Sequence, residues 1–450
     1  MARIALVNLS SLSMPGNDPI FPLGIERIRQ VLCEAGHSVR VVDFQREPQL
    51  QRDHSWVRQG WDVVGMTIRN VDPIELACES HVPHYRDYAA DLREAAGAAA
   101  DSILWVGGGP GFSLFAQEFT EALNLNVGVV GPGESVMLRL CKDPLRSAEQ
   151  RNVVVTGTPD PKFSTRVMDY DPELMAVYAS KRSAMIGVET RRKSCYQGCT
   201  YCPYAHITKD DWGAERDIPA LLAEVRAIHD AGIRQIFFTD AIFNADIRYA
   251  KKVVAALNSD LDCPGLRWSA YFTPKPFDRE FAALLAESDV EYVVISPDSL
   301  HPGMMNEIGK SFGIQHVDRC LELCREFGLK PKINVVLGGP NENEDTARAT
   351  LEYINQNLEP QELVLHIGYR VLPETAMSRQ TETTAKELLE PTFLHIDPEM
   401  FGWLYKYLDS KFLKPEFILN AAAAKRGLRS RRVVRAQYSV ARKLLPLAVQ

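Results

Sequence analysis

Three cysteines lie within eight residues near the middle of the chain, in the stretch KSCYQGCTYCP. Cys195, Cys199 and Cys202 follow the spacing C-x-x-x-C-x-x-C. Thiolates in one short loop are typical ligands of iron-sulfur clusters, and three of them leave one iron of a four-iron cluster open to an outside ligand. The spacing therefore predicts a metal centre that performs chemistry.

Two other interpretations of these cysteines stay open on spacing alone. Structural zinc sites use four ligands, usually in two separated pairs, and here His206 is the residue that could supply the fourth. The cysteines could also be buried as small apolar side chains. Lys193, Gln197 and Thr200 make the segment polar, which favours metal binding over a place in a core.

The composition is that of a globular protein from a reducing compartment. The chain has 450 residues, of which 46% are hydrophobic and 24% charged, enough for two or three domains. It has no apolar run of membrane-spanning length and no signal-peptide pattern at its start, so we expect a cytoplasmic protein without a membrane partner. Nine cysteines in that compartment favour metal binding over disulfides. The net charge of -7 gives no reason to expect nucleic acid as a partner.

Strands alternate with helices in residues 1–150, the first of two such blocks. Apolar runs such as RIALVNL and ILWVGGG alternate with segments such as GIERIRQVLCEAG that are apolar at helical spacing. This alternation predicts a doubly wound, Rossmann-like parallel sheet, which binds ligands at the carboxyl ends of its strands. The irregular segment 151–182 is predicted to be a linker.

A second alternating series fills residues 183–385. Its strand candidates are SAMIGVET, QIFFTD, RWSAYF, VEYVVIS, KINVVLGG and ELVLHIGYRVL. About six such units predict a partial parallel (β/α)6 barrel, with the cysteines in the loop after its first strand, where barrels carry catalytic residues. Residues 386–450 are predicted to be helical with a basic tail. Such a run is usually a solvated helix face, and an acidic partner or a flavodoxin-type electron donor is the alternative.

The cysteine motif resembles the signature of radical S-adenosylmethionine (SAM) enzymes. The resemblance implies that Cys195, Cys199 and Cys202 bind a [4Fe–4S] cluster whose open iron takes the amino and carboxylate groups of SAM. It places Tyr201 beside the adenine. Weaker matches imply further SAM-binding residues: Asp240 at the amino group with Asn244 in support, Ser296, Asp298 or Ser299 at the ribose or carboxylate, Gly338 against the adenine, and Arg370 in a G-x-R-x-x-P-x-T segment.

The first block resembles the cobalamin-binding domain that precedes the barrel in one class of these enzymes. Glycine-rich turns would let the backbone approach the corrin, because a side chain there would collide with it. The residues implied for cobalamin are Arg69, Asn70, Gly107, Gly108, Gly109, Gly111, Gly131 and Gly133. The chain lacks the segment D-x-H-x-x-G, so a bound cobalamin would have no lower histidine ligand from that source.

These resemblances imply a radical SAM C-methyltransferase. A 5'-deoxyadenosyl radical would abstract hydrogen from an unactivated carbon of a small natural-product substrate, cobalamin would deliver the methyl group, and a flavodoxin or ferredoxin would supply electrons. One alternative is a cobalamin-free dehydratase, epimerase or rearrangement enzyme, for example on an aminoglycoside, with a vestigial first domain. The other is a binding or electron-transfer protein, which would not cleave SAM at all.

Overall fold

The structure is a computed structural model. It describes residues 1–13, 20–72, 74, 79–181, 186–208, 214–381, 383–394, 399–400, 402–404 and 407. Within these residues the chain forms two separate six-stranded sheets, and every strand pair inside each sheet is parallel. No described helix is long and apolar enough to span a membrane.

The first sheet has the strand order β2-β1-β3-β4-β5-β6. Its strands are apolar runs with both faces covered, as expected for a parallel sheet between two helical layers. They are β1 (Arg3–Asn8), β2 (Ser38–Val42), β3 (Val63–Thr67), β4 (Leu104–Gly108), β5 (Val127–Val130) and β6 (Val153–Thr156). The helices are α1 (Leu23–Glu34), α2 (Val82–Ala96), α3 (Pro110–Leu114), α4 (Ala116–Ala122), α5 (Glu134–Leu140), α6 (Pro144–Ala148) and α7 (Pro172–Ala179).

This order reverses between β1 and β3, which creates a ligand-binding crevice at their carboxyl ends. Arg69 and Asn70 follow β3 at that point. The predicted doubly wound sheet is confirmed. One strand went unpredicted, because β6 lies inside the segment 151–182 that the sequence suggested was a linker. Its valines at 153 and 154 are exposed at the edge of the sheet.

The second sheet has the order β14-β13-β12-β11-β10-β7, in which chain neighbours are also neighbours in space. This is the predicted partial parallel barrel. Its strands are β7 (Ile186–Val188), β10 (Gln235–Phe238), β11 (Arg267–Phe272), β12 (Val290–Asp298), β13 (Pro331–Leu337) and β14 (Leu363–Ile367), and two short antiparallel pairs flank it, β8 (Arg191–Arg192) with β9 (Ala214–Glu215) and β15 (Tyr369–Arg370) with β16 (Phe393–Leu394). The helices are α8 (Tyr204–Ile207), α9 (Ile218–Asp230), α10 (Ile247–Ser259), α11 (Arg279–Ala286), α12 (Pro302–Glu307), α13 (Ile314–Glu326) and α14 (Glu344–Asn357).

The predicted helical region with a basic tail lies almost entirely outside the described residues. Its described residues include a short strand, β16 at Phe393–Leu394, where a helix was predicted, and two aromatic residues, Trp403 and Tyr407, whose ring centroids lie 5.0 Å apart. Both rings pack near Arg348 of α14. The described part of this region therefore adds an aromatic contact to the outer helices of the barrel.

The carboxyl ends of the two sheets face each other. Beyond β3, Asp72 pairs with Arg370, which lies just past β14, at 2.9 Å. Glu134, at the start of α5 after β5, pairs with Arg192 of β8 at 2.8 Å. Because both kinds of sheet bind ligands at this end, we expect the two predicted sites to face each other.

Candidate functional site

The cysteine loop begins directly after β7 and β8, at the carboxyl end of the barrel. Cys195, Cys199 and Cys202 are all free thiols and all partly buried. Burial raises the pKa of the Cys195 thiol and raises that of Cys202 to about 11. Thiolates at these positions need a nearby positive charge, and a bound metal centre supplies one.

The loop is held from one side by residues 308–311. The backbone N–H of Thr200 donates to the carbonyl of Ile308 at 3.0 Å. The side-chain oxygen of Gln197 accepts from the Ser311 hydroxyl at 2.8 Å. A Cβ on Gly309 would lie 2.2 Å from the carbonyl oxygen of Gly198, so the two backbones touch. These contacts fix the loop without using the thiols.

From the other side, the loop is held by the end of β11. The Tyr196 hydroxyl donates to the carbonyl of Lys275 at 2.9 Å. Asn244 secures the same turn, since its amide donates to the Thr273 carbonyl at 2.9 Å and accepts from the Thr273 N–H at 2.8 Å. Asn244 is fully buried. Its amide group is used in this turn, and the predicted support of the Asp240 contact with SAM stays a prediction.

Asp240, after β10, lies in a small cavity that it lines together with Cys195 and Tyr204. Its carboxylate accepts from the N–H of Arg191 at 2.9 Å and from the hydroxyl of Thr190 at 3.0 Å. A carboxylate has about four acceptor positions, so these bonds and a longer one to the Thr190 N–H leave room for one more donor. Burial raises the pKa of Asp240 to about 6. The Asp240 carboxylate therefore has room for the predicted contact with an ammonium group.

Asp298, at the end of β12, is occupied by protein groups that the sequence did not indicate. Its carboxylate lies 2.5 Å from the ammonium of Lys310 and also accepts from the Tyr201 hydroxyl. Asp298 has a φ of +60°, a left-handed conformation that costs a non-glycine residue energy. Tyr201 is therefore tied to the protein through its hydroxyl. Lys310 lies more than a hundred positions from the cysteine motif in the chain, and no spacing could have pointed to it.

The other residues implied for SAM binding are distributed along the same edge of the barrel. Ser296 accepts a hydrogen bond from the Asn334 amide at 2.9 Å, and Ser299 shares one with Thr350. Gly338 has a φ of +92° and its N–H donates to Glu342. Arg370 is buried, and its guanidinium donates to Asp72 at 2.9 Å and to the Leu388 carbonyl at 2.6 Å. The structure thus places Arg370 in the contact between the two sheets, with its donors used there.

The side chains of the cysteine loop fit an iron-sulfur cluster better than a single metal ion. Among the described residues, no three His, Cys, Asp or Glu side chains converge on a point that one ion could occupy, so the geometry gives no support to zinc. The amide nitrogen of Gln197 and the hydroxyl of Thr200 are buried, and neither has a hydrogen-bond partner within the described part of the chain. Buried donors beside thiols suit a larger group that brings its own acceptors.

Three glycines of the first sheet are constrained by the protein's own packing, whereas the prediction was that they make room for a cofactor. A Cβ on Gly109 would lie 2.5 Å from the Ile68 carbonyl oxygen, and one on Gly111 would lie 2.6 Å from that of Arg69. At Gly107 it would collide with Leu125 and Phe112 at 2.4 Å. These three positions exclude side chains because of the protein's own packing.

The remaining glycines are less constrained by their neighbours. A Cβ on Gly108 would have no neighbour closer than 3.8 Å, and one on Gly133 would meet Ile28 at 3.0 Å. Gly131 has a φ of +78° and its N–H donates to the Ser113 hydroxyl at 3.0 Å. A Cβ on Gly108, at the end of β4, would make only ordinary van der Waals contacts, so packing alone does not require a glycine there.

Arg69 and Tyr271 define the two walls of the cleft between the sheets. Burial lowers the pKa of Arg69, and the nearby Tyr271 opposes that shift. Burial likewise raises the pKa of Tyr271, yet 43% of this residue is exposed to solvent. Tyr271 is therefore accessible to solvent at a point close to Arg69 of the first sheet. Phe237 extends the barrel wall, with its ring centroid 5.2 Å from that of Tyr271.

A buried ionic network joins the first sheet's helices to the strand before the cysteine loop. Glu189 lies 2.5 Å from Arg27 of α1 and 3.0 Å from Arg192 of β8. Burial alone would raise the pKa of Glu189, but Arg192 and Arg27 lower it to about 2. The guanidinium groups of Arg27 and Arg192 also face the ring of Phe163. The network fixes the direction in which the chain enters the cysteine loop.

Residues 193–354 match the radical SAM superfamily. The chain contains a radical SAM domain. This match begins at the cysteine motif and runs through β13 and most of α14. A radical SAM domain implies a [4Fe–4S] cluster and SAM, in agreement with the motif and the fit of its loop.

The similarity to known proteins covers most of the chain. Tryptophan 2-C-methyltransferase of Streptomyces laurentii is 24% identical over 453 aligned positions, which cover 84% of this chain and 74% of that protein. The structure of TsrM, a radical SAM methyltransferase from Kitasatospora setae, with tryptophan and a SAM analogue, has a TM-score of 0.71 at 23% identity and covers 84% of this chain and 76% of its own. The structure of the cobalamin-dependent radical SAM enzyme OxsB, with aqua-cobalamin, has a TM-score of 0.69 at 13% identity. It covers 99% of this chain and 72% of its own.

These similarities reach beyond the radical SAM domain into the first sheet. They confirm the fold, a Rossmann-like domain joined to a barrel that carries the radical SAM domain, and the similar proteins include C-methyltransferases. The assignment of individual binding residues stays a prediction.

Proposed function

We propose that this radical SAM enzyme transfers a methyl group from SAM to a carbon of a small molecule, with cobalamin as the carrier. The observation that carries the proposal is the cleft. The ligand-binding end of the first sheet, marked by Arg69 at its switch point, lies near Tyr271 on the barrel wall. Two cofactors and a substrate between them need this arrangement, because the methyl donor and the acceptor carbon must be brought together.

When bound, the cluster supplies an electron for cleavage of SAM, and cobalamin serves as the methyl carrier. The chain's own residues set the geometry. Cys195, Cys199 and Cys202 would hold the cluster, and Asp240 would hold the ammonium group of SAM. Across the cleft, Arg69 and the backbone at Gly108 would contact cobalamin.

Residues of the barrel interior would bind the substrate. Tyr271 and Phe237 give an aromatic wall, while Ser296 and Asn334 form a hydrogen-bonded pair on the neighbouring strands β12 and β13. An aromatic wall with a few polar groups favours a planar substrate. Tryptophan, which occupies the TsrM structure, is the first molecule to test. The abstraction of hydrogen from an unactivated carbon and the use of a flavodoxin or ferredoxin also remain our proposals.

The test of this function is transfer of an isotopic label. The anaerobically reconstituted enzyme, purified from cells supplied with cobalamin, is incubated with SAM that carries a trideuterated methyl group and with tryptophan and related indoles. We expect the deuterated methyl on a carbon of the product, detected by mass spectrometry. Conversion to a dehydrated or epimerised product without the label would replace methyl transfer by the cobalamin-free alternative.

The contact of Asp240 with SAM predicts a pH dependence of binding. Its pKa of about 6 lies above its ordinary value of 3.8, so it is ionised at pH 7 and mostly neutral at pH 5. Only the ionised form attracts an ammonium group. We therefore expect the dissociation constant of SAM to rise by up to about tenfold from pH 7 to pH 5.

Equilibrium binding of SAM to the reconstituted protein at both pH values measures this change. In the Asp240→Asn variant, the affinity at pH 7 should be low and the dependence between pH 5 and 7 should disappear. An equal dependence in the variant and the wild type would assign the ammonium contact to another residue.

A further inference from the structure

Lys310 is a buried lysine beside the cysteine loop. Only 5% of its side chain is exposed, and its ammonium lies 2.5 Å from a carboxylate oxygen of Asp298 and 3.2 Å from the hydroxyl of Tyr201. A buried ammonium is costly unless it is paired, and Asp298 provides the partner. Neither the SAM contacts nor the methyl-transfer proposal uses this cation.

The segment that carries Lys310 is packed directly on the middle cysteine of the motif. A Cβ on Gly309 would lie 3.5 Å from the Cα of Cys199, and the Thr200 N–H donates to Ile308 at 3.0 Å. Burial alone would lower the pKa of Lys310, but Asp298 and the nearby Cys199 raise it. Backbone contacts therefore hold the segment of Lys310 against Cys199, and Asp298 and Tyr201 hold its ammonium.

We propose that Lys310 is a positioning residue that sets the reduction potential of the iron-sulfur cluster held by Cys195, Cys199 and Cys202. Hydrogen bonds to ligand sulfurs and the net charge nearby are two of the factors that set such potentials. A cation beside Cys199 stabilises the reduced cluster, which carries one more negative charge, and so raises the potential. Asp298 fixes the ammonium and partly offsets its charge.

The direct test is a potentiometric titration followed by electron paramagnetic resonance, on reconstituted wild type and Lys310→Met. We expect the variant's cluster to be about tenfold harder to reduce, a shift of about 59 mV to more negative potential for one electron. Lys251→Met is the matched control, since Lys251 is also paired with carboxylates, 2.8 Å from Asp278, but lies on α10. Equal potentials in Lys310→Met and wild type would overturn the proposal.

Two further variants separate this role from a merely structural one. Lys310→Arg keeps the charge and should keep the potential near that of the wild type. Asp298→Asn removes the opposing charge but keeps an oxygen that accepts from the ammonium, which Tyr201 also contacts, so it should move the potential in the positive direction, opposite to Lys310→Met. If Lys310→Met assembles no cluster, Asp298→Asn still decides, because an unchanged or more negative potential in that variant would contradict the proposal.

The inference rests on the radical SAM domain and not on methyl transfer. The potentials are measured without substrate or cobalamin. Failure of the labelling experiment would leave the expected shifts unchanged, and absence of the shifts would leave the methyl-transfer proposal standing.

Discussion

Substitution of Cys199 by alanine is expected to remove the [4Fe–4S] cluster and all cleavage of SAM. Three protein ligands are the smallest set that holds such a cluster while one iron stays open, so no ligand is dispensable. The same result is expected for Cys195 and Cys202. Because all three are partly buried in a loop fixed by backbone contacts, the alanine variants should fold normally.

Iron and sulfide content after anaerobic reconstitution, together with the yield of 5'-deoxyadenosine, measures this prediction. Cys33→Ala is the matched control, since Cys33 is an exposed free thiol near the end of α1. Its cluster content should equal that of the wild type. A cluster that survives in any of the three motif variants, or is lost in Cys33→Ala, would show that the ligands were assigned incorrectly.

Replacement of Arg370 by alanine is expected to lower the free energy of unfolding by about 3–5 kcal/mol, because it leaves the Asp72 carboxylate buried without its partner. The side chains of this pair are 1% and 0% exposed. The resemblance to radical SAM enzymes placed Arg370 at SAM. Its contacts with Asp72 and Leu388 instead make it a link between the two sheets.

Thermal or denaturant unfolding of the protein measures the loss of stability. The control is Arg319→Ala, because Arg319 pairs with Glu322 at a similar distance of 2.9 Å on an exposed face of α13. Exposed pairs contribute about 1 kcal/mol or less, so this variant should unfold almost as the wild type does. If Arg370→Ala unfolds like the wild type but binds SAM poorly, the ligand contact is correct and the structural link is not.

The strands were predictable because a parallel sheet covered on both faces demands nearly continuous apolar runs. QIFFTD and KINVVLGG each carry that pattern, and each contains a strand of the barrel. VVVT at 153–156 is an equally apolar run, but it lies in the segment assigned to a linker and forms an exposed edge strand without a helix directly after it to mark a repeat. The cysteine motif was predictable for a different reason, since its chemistry lies in one short stretch of sequence.

Contacts made by distant parts of the chain were not predictable. Asp298 appeared as a ligand candidate, and only the fold brings Lys310 to it. The glycines at 107, 109 and 111 appeared to be shaped for a cofactor, whereas the atoms that exclude a side chain there belong to the protein. Residue type and position reveal that a side chain is constrained, but its partner emerges only from the packing.

The most direct test of methyl transfer through cobalamin is the cobalamin content of the protein itself. The wild-type chain is purified anaerobically from cells supplied with cobalamin, and its absorption spectrum and cobalt content are measured against its iron. We predict about one cobalamin for each [4Fe–4S] cluster, with absorption bands distinct from the broad shoulder of the cluster. A protein that contains no cobalamin and cannot be loaded with it, yet converts its substrate, would contradict the account.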